Sequence, residues 1–195
     1  MTAHLTTVGP WAYVWRVIIE PEPDTKDWTW VLREPCPECG FDAGAPARST
    51  LPTLTRDVGD RWAKAMQADG DVGARPAPAV WSRLEYACHV RDVLDLAIYR
   101  TRLMLEQDAP RFANWDQDAT ALEEDYPSQD ASVVNGELAI AASGYADVVA
   151  SVPDAAWDRT GLRGDGTTFT VESFTRYLLH DVVHHLTDVT GERWT

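Results

Sequence analysis

Leu178-Leu179-His180-Asp181-Val182-Val183-His184-His185-Leu186 sets three of the chain's five histidines within six residues, in a segment whose apolar spacing reads as helix. Positions i and i+4 share a helix face, with Cβ atoms about 5–6 Å apart. His180 and His184 therefore aim two imidazoles at one ion. His89, inside another long helical pattern, is the candidate third ligand. Three histidines leave a coordination position open, as catalytic metal sites do and closed structural sites do not. His185 pairs in the same way with Asp181, on a face about 100° round the helix. Imidazole suits divalent transition metals better than carboxylate, which favours the His180/His184 face. The Asp181/His185 face stays open as the alternative. Asp188, one turn beyond His184, is either placed to orient an imidazole from behind or is a solvated acid.

Working outward, this segment belongs to a helix expected from Thr170, a capping residue, to Thr190, with Gly191 ending it. Leu51, Leu54, Val58, Trp62, Ala65 and Met66 recur at three- and four-residue steps, with Pro52 in the first turn, and Asp69-Gly70-Asp71 closes that helix. A second helix is expected from about Val80 to Glu106, and a third from about Asp130 to Ser151, stopped by Pro153. The long connection from Asp108 to Tyr126 contains Asn114-Trp115-Asp116-Gln117-Asp118-Ala119-Thr120, which either lines the mouth of a pocket or is a capped surface turn. Four amphipathic helices with no strand pattern between them predict an all-α four-helix bundle, the long connection allowing a crossover. If the second and fourth helices run in parallel, His89 and His180 occupy similar depth, each about ten residues from its helix start.

Residues 1–48 read differently, as a small irregular N-terminal extension before a bundle over 49–195. Trp11 to Ile19 and Trp28-Thr29-Trp30-Val31-Leu32 are rich in β-branched and aromatic residues, around the turn signal Pro21-Glu22-Pro23-Asp24. They are expected to form a short hairpin or extended arms on the main body. Three cysteines exclude a complete disulfide framework. Cys36-Pro37-Glu38-Cys39-Gly40 then has three readings: a knuckle with its own zinc, half of a Cys2His2 set completed by bundle histidines, or a plain turn with two reduced thiols. The tether from Gly40 to Thr50 reaches up to about 35 Å when extended, so geometry permits the second. Cys88 reads as a small buried apolar residue.

Composition narrows the function. At 45% hydrophobic and 25% charged residues the chain is an ordinary globular one. Seventeen basic against 31 acidic residues leave a net charge of −14 with no basic cluster, which argues against nucleic acid and anionic membranes as partners. No apolar run approaches the roughly 20 residues of a membrane span, and no leader pattern opens the chain, so it is read as cytoplasmic. Nine tryptophans are read as core or groove anchors, and exposed ones suggest a homodimer. A serine or cysteine hydrolase has little support, since no G-x-S-x-G elbow occurs and Cys88 lacks a basic environment.

Trp81-Ser82-Arg83-Leu84-Glu85-Tyr86-Ala87-Cys88-His89-Val90-Arg91-Asp92 resembles the W-x-x-x-E-x-x-x-H second helix of the DinB/YfiT-like superfamily, and Thr168-Phe169-Thr170-Val171 leading into HDVVHH resembles its fourth. The resemblance covers roughly residues 50–190. It implies a four-helix bundle whose divalent metal, zinc by the resemblance, would sit on His89, His180 and His184. It also implies a metal-dependent enzyme acting on a small molecule, as a transferase, isomerase or hydrolase. Some relatives use a low-molecular-weight thiol, the mycothiol-dependent maleylpyruvate isomerases among them. The competing reading is a non-catalytic, metal-stabilised module that binds a ligand or partner. Here His184 is followed by His185-Leu186-Thr187-Asp188 where many relatives continue with Arg-Gly-Gln, which keeps His185 in play as a ligand. The Cys36/Cys39 segment lies outside the family pattern.

Overall fold

Four of the five α-helices among the described residues begin where a side chain satisfies the first free amides. The structure is a computed structural model, and it describes residues 26–194. Thr50 precedes α1 (Leu51–Gln67), with Pro52 in its first turn. Ser82 opens α2 (Arg83–Glu106) by a capping box: its hydroxyl accepts from the Glu85 amide, and the Glu85 carboxylate accepts from the Ser82 amide at 2.8 Å. Asp116 caps the short α3 (Gln117–Glu123), and Asp130 accepts from the Ser132 and Val133 amides to start α4 (Ala131–Ala150). A reciprocal Thr170/Ser173 box opens α5 (Val171–Thr190). Gly191, at φ +71°, closes it in the left-handed region, its amide donating to the Thr187 carbonyl at 2.8 Å.

Contacts between helices give their directions. Arg83, at the start of α2, donates to the Ala65 and Ala68 carbonyls at the end of α1, so these two are antiparallel. Arg91 pairs with Glu137, and two turns on Ile98 packs over Gly144, so α2 and α4 run the same way. Arg56 pairs with Asp147 while Gly59 meets Ala142, making α1 and α4 antiparallel. Tyr86 packs on His185 and His89 reaches back to Asp181, so α5 runs against α2. The result is an up-down-down-up bundle, and residues 107–130 are the crossover that parallel α2 and α4 require. The condition on which His89 and His180 would match in depth, a parallel α2 and α5, is not met.

The core between the helices is built from Trp62, Leu94, Met104, Leu138, Tyr145 and Leu179, all essentially inaccessible. Trp62 satisfies its indole N–H on the Val182 carbonyl at 3.0 Å. Gly59 lies where a Cβ would fall 2.6 Å from the Ala142 Cβ, which is what lets α1 approach α4 so closely.

Three local expectations change. Trp28–Leu32 is a 3-10 helix capped by Asp27 that lies across α5; the Trp11 to Ile19 run lies outside the described residues. The Asp108 to Tyr126 connection contains α3 and a 3-10 turn at Tyr126–Ser128. The loop before α5 carries a small antiparallel hairpin of β1 (Thr160–Leu162) and β2 (Thr168–Thr170). Phe112 of the crossover hydrogen-bonds to Leu162 at 2.8 Å, which ties that loop to the hairpin. No helix among the described residues is long and apolar enough to cross a membrane.

Candidate functional site

The two histidine-bearing faces of α5 look at different neighbours. Successive residues turn about 100° round the helix, so 180/184 and 181/185 cannot share one target. Because α2 and α5 are antiparallel, the first turns of α2 lie level with the last turns of α5. His89 thus meets Asp181 and His185. His180 and His184 turn toward the N-terminal segment and meet Cys36 and Cys39. The expected set of His89, His180 and His184 is not brought together as one group, for these two geometric reasons. In its place stand two groups, each with ligand atoms within 4.8 Å of one another: His89, Asp181 and His185, and Cys36, Cys39, His180 and His184.

In the first group the His89 Nε2 lies 3.6 Å from Asp181 Oδ2, and the His185 Nε2 lies 3.8 Å from Asp181 Oδ1. Two nitrogen or oxygen ligands bound tetrahedrally at about 2.0–2.2 Å would lie about 3.4 Å apart. The pairs are therefore too long for hydrogen bonds and close to the span across a shared ion. Both ring nitrogens of His89 and Asp181 Oδ2 are buried without a hydrogen-bond partner among the described residues, which is costly unless something else binds them. Burial holds the His89 imidazole below its ordinary pKa, and so neutral, the state in which it ligates metal. Burial pushes the Asp181 carboxyl up, but the His185 and His89 imidazoles outweigh this and bring it down to about 2. Asp188 accepts from or shares a proton with His185 Nδ1 at 2.9 Å, leaving Nε2 aimed at Asp181.

In the second group the Cys36 Sγ lies 3.7 Å from His184 Nδ1, and His180 Nε2 is buried and unpartnered among the described residues. Burial pushes the His180 imidazole down to about 4. Cys88 belongs to neither group; it is fully buried against Gln129, and burial pushes its thiol up to about 12.

Aromatic rings fix the imidazoles. His89 lies between Trp115, stacked at 5.5 Å and 12°, and Trp81 at 5.4 Å, while Tyr86 packs on His185 at 5.0 Å. Both readings of the Asn114–Thr120 stretch therefore hold at once: Asp116 caps α3, and Trp115 lines the pocket. These residues wall a cavity of about 710 Å³ with the histidine ends of α2 and α5 on one side. Farther along α2, the stripe His89, Val93, Leu96 and Arg100 continues the wall. Sequence reading did not single out Arg100, although its i+11 spacing from His89 was the available signal. Arg100 is 8% exposed and donates to the Ala113 carbonyl at 2.8 Å. No carboxylate lies within ion-pair distance of it among the described residues. Arg163, paired with Asp165, stands in the same part of the cavity.

The model of the DinB superfamily matches residues 51–189. Among solved structures, YfiT from Bacillus subtilis is similar with a TM-score of 0.66 at 17% identity, over 74% of this chain and 86% of that one. That protein is described as a probable metal-dependent hydrolase with an unusual four-helix bundle topology. No curated protein matches the chain. Helix order, crossover and family match agree: the chain belongs to the DinB superfamily.

Proposed function

We propose that the chain is a metal-dependent hydrolase acting on a small molecule, with His89, Asp181 and His185 holding a divalent ion, zinc being the ion such a donor set suits in hydrolytic sites. One observation carries this reading: three ligand-type side chains converge on the wall of a cavity large enough for a substrate, with both His89 ring nitrogens and Asp181 Oδ2 buried and without a hydrogen-bond partner among the described residues. A bound divalent ion supplies Lewis acidity, lowering the pKa of a water or thiol and polarising a substrate carbonyl. The chain's own residues do the rest. Asp188 fixes the His185 tautomer, Trp81 and Trp115 hold the His89 ring and keep water from its faces, and Arg100 with Arg163 receives an anionic group. Arg100 lies eleven residues from His89 on one helix, about 16 Å along its axis, so a substrate would extend between the two. A low-molecular-weight thiol is the co-substrate that a transferase or isomerase variant of this chemistry would use. The charge of −14 argues against nucleic acid as the substrate. Val133 and Ile140, exposed on one face of α4, are the residues a homodimer would cover, which sedimentation velocity reads directly.

The test is turnover of a panel of small esters, amides and thiol adducts by zinc-loaded protein, by chelated protein and by His89→Ala. Turnover lost in the last two supports the proposal. Turnover indifferent to chelation overturns it. A melting temperature that falls on chelation, with no turnover of any substrate, identifies a metal-stabilised binding module instead.

A further inference from the structure

We propose that Cys36, Cys39, His180 and His184 form a closed tetrahedral zinc site that fastens the N-terminal segment to α5, separate from the open centre at His89. This goes beyond the catalytic proposal and does not rest on it. The local sequence builds a turn that aims both sulfurs one way. The Gly40 amide donates to the Cys36 carbonyl at 2.8 Å, and the Cys36 amide donates to the Phe41 carbonyl at 2.9 Å. Gly40 sits at φ +82°, where a Cβ would also meet the Trp194 carbonyl oxygen at 2.9 Å. This close approach is completed by the Trp194 amide on the Cys39 carbonyl at 2.8 Å, so the C-terminal tail joins the same cluster.

The donor set fits zinc in number, type and spacing. A sulfur at about 2.3 Å and a nitrogen at about 2.05 Å from one tetrahedral ion lie about 3.6 Å apart, and Cys36 Sγ to His184 Nδ1 is 3.7 Å. With Nδ1 turned to the sulfurs, the His184 Nε2 faces Glu38 at 3.6 Å and Asp188 at 3.9 Å, carboxylates that orient the ring. The His180 Nε2 is buried without a hydrogen-bond partner among the described residues. All four ligands are buried, and neither cysteine lines the cavity. Four protein ligands fill the coordination sphere, which makes the site structural. Zinc binding would displace two thiol protons to solvent as the thiolates form. Trp28 packs on both imidazoles, at 5.5 and 4.9 Å, and Trp28 with Lys26 lines the cavity. The ion would thus set one wall of the pocket while taking no part in its chemistry.

The test uses the full chain with cobalt as a spectroscopic stand-in, then zinc. Cobalt-loaded wild type should show a thiolate-to-cobalt charge-transfer band with tetrahedral ligand-field bands. Zinc-loaded protein should withhold Cys36 and Cys39 from a thiol reagent, and chelation should release both to it. Cys36→Ser/Cys39→Ser should lose the charge-transfer band and one zinc per chain. His89→Ala should keep the band and lose only the other ion. If the double variant fails to fold, the wild-type spectrum and thiol titration decide alone. Absence of the charge-transfer band, a Cys36–Cys39 disulfide, equal thiol reactivity with and without zinc, or loss of the band in His89→Ala would each overturn the proposal.

Discussion

Replacing Glu85 by alanine removes one side chain that performs two structural tasks four residues ahead of His89. Its carboxylate accepts from the Ser82 amide at 2.8 Å and from Arg75 Nε at 2.9 Å, and Arg75 Nη2 closes the fork. Glu85 is 2% exposed and Arg75 22%. The capping half is worth about 1 kcal/mol. Breaking a fully buried pair costs about 3–5 kcal/mol; Arg75 retains some water, so about 2 kcal/mol is the fitting figure here. The sum, about 3 kcal/mol, lowers the melting temperature by about 6–12 °C for a chain of this size. Glu85→Gln keeps the cap and one hydrogen bond to Arg75, and should lose about half as much. Burial pushes the Glu85 carboxyl up, but hydrogen bonds from Arg75 and Ser82 outweigh it and hold the pKa below the ordinary value. The pair's contribution is therefore complete above the ordinary glutamate range and shrinks as pH falls toward the depressed value. The stability gap between wild type and Glu85→Gln, measured by calorimetry from pH 7 downward, should narrow on the acid side. An alanine variant within about 2 °C of wild type at pH 7, or a gap that widens in acid, would refute the reasoning.

Two glycines should respond in opposite directions. Gly59→Ala forces a Cβ to 2.6 Å from Ala142 and should destabilise by about 1 kcal/mol net of its helix-propensity gain, whereas Gly136→Ala, with open space around it, should stabilise by about 0.5–1 kcal/mol; chemical denaturation reads both. Asp188→Asn should weaken metal binding at His89, Asp181 and His185 by about 10–100-fold, measured by competition with a chelator of known affinity. Arg100→Met should raise KM for an ester bearing a terminal carboxylate by about 10–100-fold and leave its neutral analogue unchanged, since a charged hydrogen bond is worth about 1.5–3 kcal/mol.

The bundle was legible because each long helix carries its own start signal and stripe. Thr170 and Gly191 mark ends that the structure reproduces within a residue, whereas α2 begins at Arg83, three residues later than the Val80 start expected from its stripe. The four-helix architecture and its crossover followed from those patterns and loop lengths. Helix direction did not follow, because nothing in residues 107–130 announces which end of α2 meets which end of α5. His89 meets Asp181, one residue and about 100° round the helix from His180, so the face of α5 it meets sorts the ligands. The small hairpin escaped because three-residue strands are too short to show alternation. The Trp28–Leu32 run shows the opposite failure: strong strand propensity, overridden where the segment docks on α5 as a 3-10 helix. All candidate ligands were visible as residue types. Their sorting into an open set and a four-member set was not, since it depends on a 100° offset and on where a flanking segment folds back.

Anomalous diffraction at the zinc edge, from crystals grown with zinc, tests the central claim most directly. The account predicts a peak about 2.0–2.2 Å from His89 Nε2, His185 Nε2 and an Asp181 carboxylate oxygen, with the remaining coordination position facing the cavity. Density in which zinc-saturated protein shows no peak there, and His89 and Asp181 bond directly to each other, would contradict it.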